Sequence, residues 1–278
     1  MENNFISNLK ISDLETIFPN LNILQIIKAG GEGVVIKTSL KENNEVLLAL
    51  KIYDPEHLSK RNELEVQKLS NLDSPYIINL YSYGTVMLYD KQCFFTLTSY
   101  VDGPDLRTLL KEGYNFNSNE VKTMLICISQ AIQTLWDEKV VHCDIKPDNI
   151  LYDKSNNKFI LIDLGIAKYL DEPTMTSYGI IMGTLGYIAP EQIQGRKNLT
   201  LKTDFYSLGI VAYELLVGHH PFNFNQDLIM QLNPLPSIPN TIVAESNLKK
   251  LIFSLANPIA YKRPFNFAQI NTSLKEVF

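Results

Sequence analysis

The chain has 278 residues, of which 45% are hydrophobic and 20% charged, the composition of an ordinary globular protein rather than a disordered or fibrous one. Its 25 basic and 30 acidic side chains give a formal net charge of −5 and no basic run, so nothing supports a nucleic-acid-binding surface. No apolar stretch reaches the length of about 18 residues that a membrane span needs, and no secretory signal is visible. The three widely spaced cysteines (Cys93, Cys127, Cys143) fit neither a disulfide framework nor a zinc site, which favours a reducing, cytoplasmic compartment.

The first part of the chain predicts a sheet. Residues 1–20 are polar, with a short amphipathic piece that Pro19 closes, and we interpret them as an N-terminal extension. This extension packs on the small lobe described below, binds a partner or is disordered; the sequence leaves these three roles open. From Leu21 to about Val101 the pattern predicts five strands, at 21–27, 33–39, 46–52, 78–83 and 94–100, with one helix at 59–72.

After Val101 the pattern changes to helices. Asn117 and Glu120 are spaced as a capping pair for a helix whose apolar residues between 121 and 135 fall on one face. Further helices are predicted at 202–217, 248–256 and 267–277. We therefore expect an α+β fold with a strand-rich small lobe, a helix-rich large lobe and a hinge near 99–104, and two lobes around a cleft suit a small-molecule ligand.

Two features of the strand-rich part are ambiguous when taken alone. A glycine-dense turn at 30–33 separates the first two predicted strands, and such a turn lets backbone N–H groups approach phosphate oxygens. A plain hairpin is the alternative. Lys51 ends the third strand, where it is either a solvated strand end or a phosphate ligand.

The most informative stretch is residues 140–151, Val-Val-His-Cys-Asp-Ile-Lys-Pro-Asp-Asn-Ile-Leu. Nineteen residues after Asp144, an apolar strand ends at Asp163. Asp144 suits the carboxylate that accepts the proton of an attacking hydroxyl, and Asp163 with the amide oxygen of Asn149 suits a magnesium ion on nucleotide phosphates. Lys146, two residues from Asp144, would offset charge on the transferred phosphoryl group.

The span 21–277 resembles a eukaryotic-type (Hanks-type) protein kinase domain, with motifs in that family's order. The resemblance implies the two-lobed protein-kinase fold, with a small antiparallel-sheet lobe that carries one key helix (about 21–101) and a larger helical lobe (about 105–277). It implies ATP and Mg²⁺ as cofactors and a protein as substrate. The residues that it assigns to ATP are Ile27, Gly30, Gly33, Val35, Ala49, Lys51, Thr98, Ser99, Val101, Asp105 and Leu151.

The same resemblance assigns the catalytic residues and the metal ligands. The catalytic set is Asp144, Lys146, Lys51, Glu65 and Thr184, and the metal ligands are Asn149 and Asp163. Glu65 is the helix glutamate that pairs with Lys51, with Glu63 as the substitute, and Thr184 is expected to bridge Asp144 and Lys146.

Later motifs extend the resemblance through the second lobe. Residues 183–191 match the end of an activation segment that starts at Asp163, and residues 203–209 match the buried helix that anchors the catalytic loop. Arg263 is the expected partner of Glu191.

Four positions depart from the family pattern: Lys28 replaces the first loop glycine, Ser99 a hinge glutamate, Leu164 a phenylalanine, and Cys143 the arginine before the catalytic aspartate. The last departure is the most informative, because that arginine grips a phosphorylated activation segment and a thiol cannot. We therefore expect activity that does not depend on phosphorylation of the segment, where Thr174, Thr176 and Ser177 are the available hydroxyls.

Asp144-x-Lys146 together with Gly183-Thr184 favours Ser or Thr as the acceptor rather than Tyr. The loop and the compact chain look closer to bacterial than to animal kinases. Two rivals remain: a pseudokinase that binds nucleotide as a scaffold, and a small-molecule kinase of the aminoglycoside or choline type. The complete catalytic set disfavours the first, and the segment 189–191 with its arginine partner disfavours the second. The protein substrate stays unknown.

Overall fold

The structure, a computed structural model, describes residues 9–30, 33–55, 72–163, 168–169 (backbone only), 183–196 and 198–275. The chain divides into two compact units: residues up to Asp73 with Ile78–Asp102 form the first, and Ser74–Ile77 with Gly103–Phe278 form the second. The boundary between Asp102 and Gly103 falls within the hinge that the sequence predicts at 99–104.

The first unit is built on a five-stranded antiparallel sheet in the order β1-β2-β3-β5-β4. The strands are β1 (Leu21–Gly30), β2 (Gly33–Leu40), β3 (Asn43–Tyr53), β4 (Leu80–Leu88) and β5 (Lys91–Ser99). All five predicted strands are confirmed. The fourth prediction began and ended too early, because the apolar run at 77–80 leads into the strand rather than forming it. The predicted helix 59–72 lies almost wholly outside the described residues.

The two faces of this sheet have different environments. Along β3, Leu48, Leu50 and Ile52 are buried, whereas Ala49 and Lys51 on the opposite face are half-buried. This alternation follows from the period of two in a strand. It gives the sheet one core face and one face that is only half-buried.

A short helix, α1 (Ile11–Ile17), packs against the core face of the first unit. Leu14 is fully buried in the same apolar cluster as the strand residues. The hydroxyl of Tyr89 donates to the Asp13 carboxylate at 2.6 Å, and the Phe18 ring meets the edge of Phe95 with 5.0 Å between centroids. Of the three roles left open for the N-terminal extension, packing on the small lobe is the one that residues 9–20 display.

We expect Leu14→Ala to lower the free energy of unfolding by about 2–5 kcal/mol, because it removes a fully buried side chain and leaves a cavity. The matched control is Ile11→Ala on the same helix, where the side chain is 45% exposed and the expected change is small. Urea unfolding of both variants measures the difference. Equal stability of the two variants would contradict the packing described for α1.

The second unit is mainly helical. Its helices are α2 (Leu106–Lys111), α3 (Ser118–Asp137), α4 (Pro190–Ile193), α5 (Leu201–Val217), α6 (Gln226–Met230), α7 (Ser246–Leu255) and α8 (Phe267–Lys275). Short strands pair as β6 (Val140–Val141) with β9 (Lys168–Tyr169), and as β7 (Ile150–Asp153) with β8 (Lys158–Leu161). In the described part of the chain, no helix is both long and apolar enough to span a membrane.

Two helices of this unit show how the sequence fixes its local structure. The Asn117 side chain accepts hydrogen bonds from the first-turn backbone while the Glu120 carboxylate bonds back to the Asn117 N–H, which confirms the predicted capping box of α3. Nearly every residue of α5 is buried, including Asp204 and Glu214, so this mostly apolar helix lies in the core of the second unit. Helix α5 therefore supports the loops that pack on it.

Candidate active site

The loop that carries Asp144 is fixed to helix α5 by one buried carboxylate. Asp204 accepts hydrogen bonds from the backbone N–H groups of His142 and Cys143, both at 2.8 Å. Burial raises the pKa of Asp204 to about 7, although the two backbone hydrogen bonds act in the opposite direction. This contact confirms the predicted anchoring of the loop by the helix at 203–209.

Three side chains converge at the centre of this loop. The Asp144 Oδ1 atom accepts from the Thr184 backbone N–H at 2.9 Å and from its hydroxyl at 2.6 Å. Lys146 Nζ lies 2.8 Å from Asp144 Oδ2 and donates to Thr184 Oγ1, also at 2.8 Å. Thr184 thus bridges Asp144 and Lys146, although it lies 40 residues from Asp144 in sequence. Three hydrogen-bond donors on Thr184 and Lys146 thus orient the carboxylate of Asp144.

Asn149 and Asp163 lie at one end of the β7–β8 hairpin. The Ile162 N–H donates to the Asn149 carbonyl at 2.9 Å, so Asp163 is one residue from that contact. The Asn149 amide group donates to Asp144 at its carbonyl (3.0 Å) and at Oδ2 (3.2 Å). Its amide oxygen then remains for a cation, and an amide oxygen with a carboxylate is a donor set that Mg²⁺ prefers. Among the described residues no cluster of three or more His, Cys, Asp or Glu side chains could hold a metal ion.

Four of the residues assigned to ATP share the open face of the sheet in the first unit. Val35 is paired with Lys51 across β2 and β3, and Ala49 is paired with Thr98 across β3 and β5. Directly paired residues point to the same side of a sheet, so these four side chains lie together. The Thr98 hydroxyl also donates to the Ala49 carbonyl at 3.4 Å.

The two ends of the glycine-dense turn differ in whether the backbone leaves room for a side chain. Gly33 has a φ of +147°, and a Cβ atom there would overlap the Ile52 carbonyl oxygen, so only glycine fits. A Cβ at Gly30 would meet nothing within 4 Å. Ile27 lies at an irregularity in the β1–β2 pairing and is largely exposed. Gly33 is thus needed by the fold itself, whereas Gly30 leaves open space.

The remaining assigned residues flank the hinge. Asp105 caps α2 by accepting from the Thr108 N–H at 2.7 Å, and it forms an isolated bridge with Leu151, so these two residues adjoin in the second unit. Ser99 bonds to the Asn79 backbone at the end of β5, and Val101 follows as a half-buried loop residue. The residues that lie outside the described ones are Glu63, Glu65, Leu164, Thr174, Thr176 and Ser177.

Cys143 is buried in an apolar environment. It packs in a cluster with Val141 and Leu199, against which Trp136 is partly buried. Its φ of +68° is unusual for a residue other than glycine and is held by the backbone bond to Asp204. This position therefore behaves as a small apolar residue inside the fold, with no guanidinium to reach a phosphate.

Glu191 and Arg263 form the buried ion pair that the sequence predicts. Arg263 Nη1 lies 2.6 Å from Glu191 Oε1, and Nη2 lies 3.0 Å from Oε2. The guanidinium also donates to the carbonyls of Asn257, Lys202 and Pro258. Both charges are removed from water, and the bidentate geometry compensates for their desolvation.

A second charged cluster beside the loop was missed from the sequence. Arg107 contacts Asp148 at 3.3 Å and Glu214 at 2.9 Å, and it donates to the Tyr187 hydroxyl, which in turn donates to Glu214. Burial and the Glu214 carboxylate raise the pKa of Tyr187 above its usual range. The available signal was Glu214, the lone charge in the apolar run 208–218, since a buried charge needs a partner.

His220 lies in the loop that follows α5, and the structure gives it a defined role there. Its Nδ1 atom accepts from the N–H groups of Phe222 (3.2 Å) and Phe224 (3.0 Å), so its other nitrogen carries the proton. That nitrogen, Nε2, donates to the Gly186 carbonyl at 3.1 Å. The neutral ring thereby joins the 183–189 segment to the loop after α5.

We expect the contribution of His220 to stability to disappear in acid. Burial lowers the pKa of His220; the hydrogen bond to Gly186 and the charge of Glu214 act against this shift, and Arg107 and His219 act with it. The unfolded chain therefore takes up the proton first, and the stability present above about pH 6.5 is lost as the pH falls towards the lower folded pKa. Urea unfolding of the wild type and His220→Gln at about pH 7.5 and about pH 5.5 checks this, because the advantage of the wild type should shrink in acid. A constant difference between the two proteins would contradict the neutral-ring assignment.

Comparison with known proteins agrees with this geometry. The family model of the protein kinase domain matches residues 21–273. The chain is 30% identical over 235 residues to the serine/threonine-protein kinase PrkC of Bacillus subtilis, an alignment that covers 79% of this chain and 35% of PrkC. It is 30% identical over 210 residues to PknD of Mycobacterium tuberculosis, which covers 74% of this chain and 31% of PknD. With PknA of Corynebacterium glutamicum it is 30% identical over 243 residues, 84% of this chain and 51% of PknA.

The fold, the anchored loop and the family match together define a protein kinase domain. The chain belongs to this family, and within it to the Hanks-type Ser/Thr kinase domains of the bacterial kind. It spans only about a third to a half of the length of these curated relatives.

Proposed function

We propose that this protein transfers the γ-phosphoryl group of ATP to a Ser or Thr hydroxyl of a protein substrate, with Mg²⁺ as cofactor. The observation that carries the proposal is the orientation of Asp144 by Thr184 and Lys146 on a loop anchored to the core. A fold that only needed stability would not require a lysine and a carboxylate to be held together beside a magnesium donor set.

In the proposed reaction the substrate hydroxyl attacks the γ-phosphorus and Asp144 accepts its proton. A new oxygen–phosphorus bond forms, the bond between the β–γ bridging oxygen and the γ-phosphorus breaks, and ADP leaves with the electron pair. Lys146 stabilises charge on the transferred group, and Thr184 keeps the carboxylate aimed at the hydroxyl. Asn149 and Asp163 would hold Mg²⁺, which neutralises charge on the phosphates when bound.

We propose that Lys51, paired with Glu65, binds the ATP phosphates. Ile27, Gly30, Gly33 and Val35 would cover the nucleotide. The residues proposed for the adenine and ribose are Ala49, Thr98, Ser99, Val101, Asp105 and Leu151. The shared face of Val35, Ala49, Lys51 and Thr98 supports this assignment, because it gives one apolar platform with a cation at its edge.

The kinase domain is proposed to comprise residues 21–277, with α1 as an additional element of the small lobe. The three cysteines, each buried without a disulfide, agree with a reducing compartment, and we propose that the domain works in the cytoplasm.

We further propose that activity does not depend on phosphorylation of the activation segment. The buried apolar position of Cys143 supports this proposal, since an arginine there is the group that would bind a phosphorylated residue. The triple variant Thr174→Ala, Thr176→Ala and Ser177→Ala should therefore keep most of its activity on an added substrate. If the triple variant lost most of its activity while keeping the wild-type melting temperature, the proposed independence from phosphorylation would be contradicted.

The function itself is tested by incubating the protein with ATP and Mg²⁺ beside a generic protein substrate and measuring intact masses. We expect increments of about 80 Da per phosphate on Ser or Thr residues, and no increments with Asp163→Asn. If ATP raises the melting temperature but no phosphate is transferred, the protein is a nucleotide-binding scaffold. Transfer to a hydroxylated metabolite alone would identify a small-molecule kinase.

A further inference from the structure

Charged residues are unevenly distributed along the second unit. Residues 192–203 and 246–275 contain no Asp or Glu, although the chain as a whole carries 30 acidic side chains against 25 basic ones. The basic residues in these two stretches are Arg196, Lys197, Lys202, Lys249, Lys250, Lys262, Arg263 and Lys275. This local excess of positive charge, in a chain of net charge −5, favours a partner of opposite charge.

Direct contacts bring the two stretches together at one place on the second unit. Lys202, in the first turn of α5, donates from Nζ to the Tyr261 carbonyl at 3.5 Å, and this Nζ lies 4.0 Å from the centroid of the Phe265 ring. The Lys202 carbonyl accepts from Arg263 Nη1 at 2.8 Å. Because Arg263 is itself held by the buried Glu191, these contacts fix the turn before α8 against the start of α5.

Two aromatic rings beside this junction are exposed. Tyr261 is 72% exposed and Phe265 is 67% exposed, on either side of the buried Arg263. A single exposed ring is ordinary, but aromatic residues are enriched at protein interfaces, where they bury a large area. Tyr261 and Phe265, together with Lys202 and the exposed Lys262, form what we call the aromatic-cationic surface.

The cations at this place have no neutralising partner. In the part of the chain that the structure describes, Arg196, Lys202 and Lys262 take part in no ion pair, whereas Arg263 is paired with Glu191. Burial and the charge of Arg263 lower the pKa of Lys202, which shows that positive charge is crowded around this ammonium. A carboxylate that approached Lys202 would relieve this repulsion.

A short acidic peptide fits these properties better than an extended anionic surface. A membrane surface or a nucleic acid would also meet the rest of the chain, and the net charge of −5 opposes that approach. A peptide carboxylate interacts only with charges inside the screening length, about 8 Å at physiological ionic strength. The local excess of positive charge therefore governs the binding of a peptide.

We propose that the aromatic-cationic surface is a docking site for an acidic segment of a partner protein. Carboxylates of the segment contact Lys202 and Lys262, and an apolar side chain of the segment packs on the rings of Tyr261 and Phe265. These four residues lie outside the set proposed for phosphoryl transfer. The inference therefore does not rest on the proposed kinase function.

The test measures the binding of a fluorescein-labelled peptide composed of alternating Glu and Phe to the whole chain by fluorescence anisotropy. We expect saturable binding that weakens several-fold when the salt concentration is raised from about 0.1 M to about 1 M, because the Debye length falls from about 10 Å to about 3 Å. A labelled peptide with Lys in place of every Glu is the control probe and should not bind.

Variants assign the binding to this surface. The double variant Lys202→Glu with Lys262→Glu should lower the affinity by about tenfold, because two attractions become repulsions. The matched control is Lys111→Glu, which reverses an exposed cation at the end of α2 and should bind as the wild type does. Phe265→Ala should weaken binding several-fold, whereas Tyr81→Ala, which removes a 58% exposed ring on β4, should not.

The melting temperature and the phosphoryl transfer to a short neutral peptide should be the same for all these variants as for the wild type. Lys262→Glu alone keeps the test decisive where the double variant does not fold, because this side chain is exposed. No binding of the acidic peptide, or equal affinity of the wild type and the charge-reversal variants, would overturn the inference. Binding to phosphatidylglycerol vesicles in place of the peptide would also overturn it. Each of these outcomes leaves the proposed kinase function intact.

Discussion

Asp144→Asn is expected to lower the rate of phosphoryl transfer by about 10²–10⁴-fold, the usual contribution of a positioned general base. The amide has nearly the same shape, so Thr184 can still donate to Oδ1. What is lost is the negative charge that accepts the proton of the hydroxyl and pairs with Lys146 at 2.8 Å. The fall should therefore appear in kcat, while ATP binding stays within a few-fold of the wild type.

The control for this variant is Asp137→Asn, which removes the same charge at the exposed end of α3. Its kcat should equal that of the wild type. Near-wild-type kcat in Asp144→Asn would show that another group accepts the proton, and it would remove the central residue of the proposed site.

Arg263→Ala is expected to lower the free energy of unfolding by about 3–5 kcal/mol, because it leaves the buried Glu191 carboxylate without its countercharge. The substitution also deprives the backbone carbonyls of Asn257, Lys202 and Pro258 of their donor. The pair joins α4 to the turn before α8, so its loss should loosen the end of the activation segment as well as the core.

Two further variants separate charge from geometry at this site. Arg263→Lys keeps the positive charge but lacks the planar guanidinium that makes the bidentate contact. This variant should therefore retain only part of the stability. Arg196→Ala removes an exposed arginine a few residues after Glu191 and should change stability little. Urea unfolding of Arg263→Ala, Arg263→Lys and Arg196→Ala measures their free energies of unfolding. An Arg263→Ala variant as stable as Arg196→Ala would contradict the account of the buried pair.

Much of the fold follows from local patterns in the sequence. The strands of the first unit alternate with a period of two, and α3 carries its own capping box, so both could be predicted from neighbouring residues. The packing of α1 could not be predicted, because a seven-residue amphipathic sequence has the same pattern whether the segment packs on the sheet or stays in solvent. Only the burial of Leu14 against strands that are distant in sequence shows that the segment is packed.

The site shows the same division between local and long-range information. The stretch around Asp144 carries its chemistry in order, and Thr184 and Arg263 follow from family motifs. Arg107 belongs to no such motif, and its partners Tyr187 and Glu214 are 80 and 107 residues away in sequence. A buried charge such as Glu214 indicates that a partner exists, but only the packing of α2 against the loop identifies which one.

The most direct measurement is the transfer of labelled γ-phosphate from ATP to three peptides that differ only in their acceptor, Ser, Thr or Tyr. The wild-type chain, Asp144→Asn and Asp137→Asn are each assayed in the presence of Mg²⁺. We predict label on the Ser and Thr peptides with the wild type and Asp137→Asn, and little or none with Asp144→Asn or on the Tyr peptide. Labelling of Tyr alone, or equal labelling by Asp144→Asn, would contradict the assignment of this chain as a Ser/Thr kinase that works through Asp144.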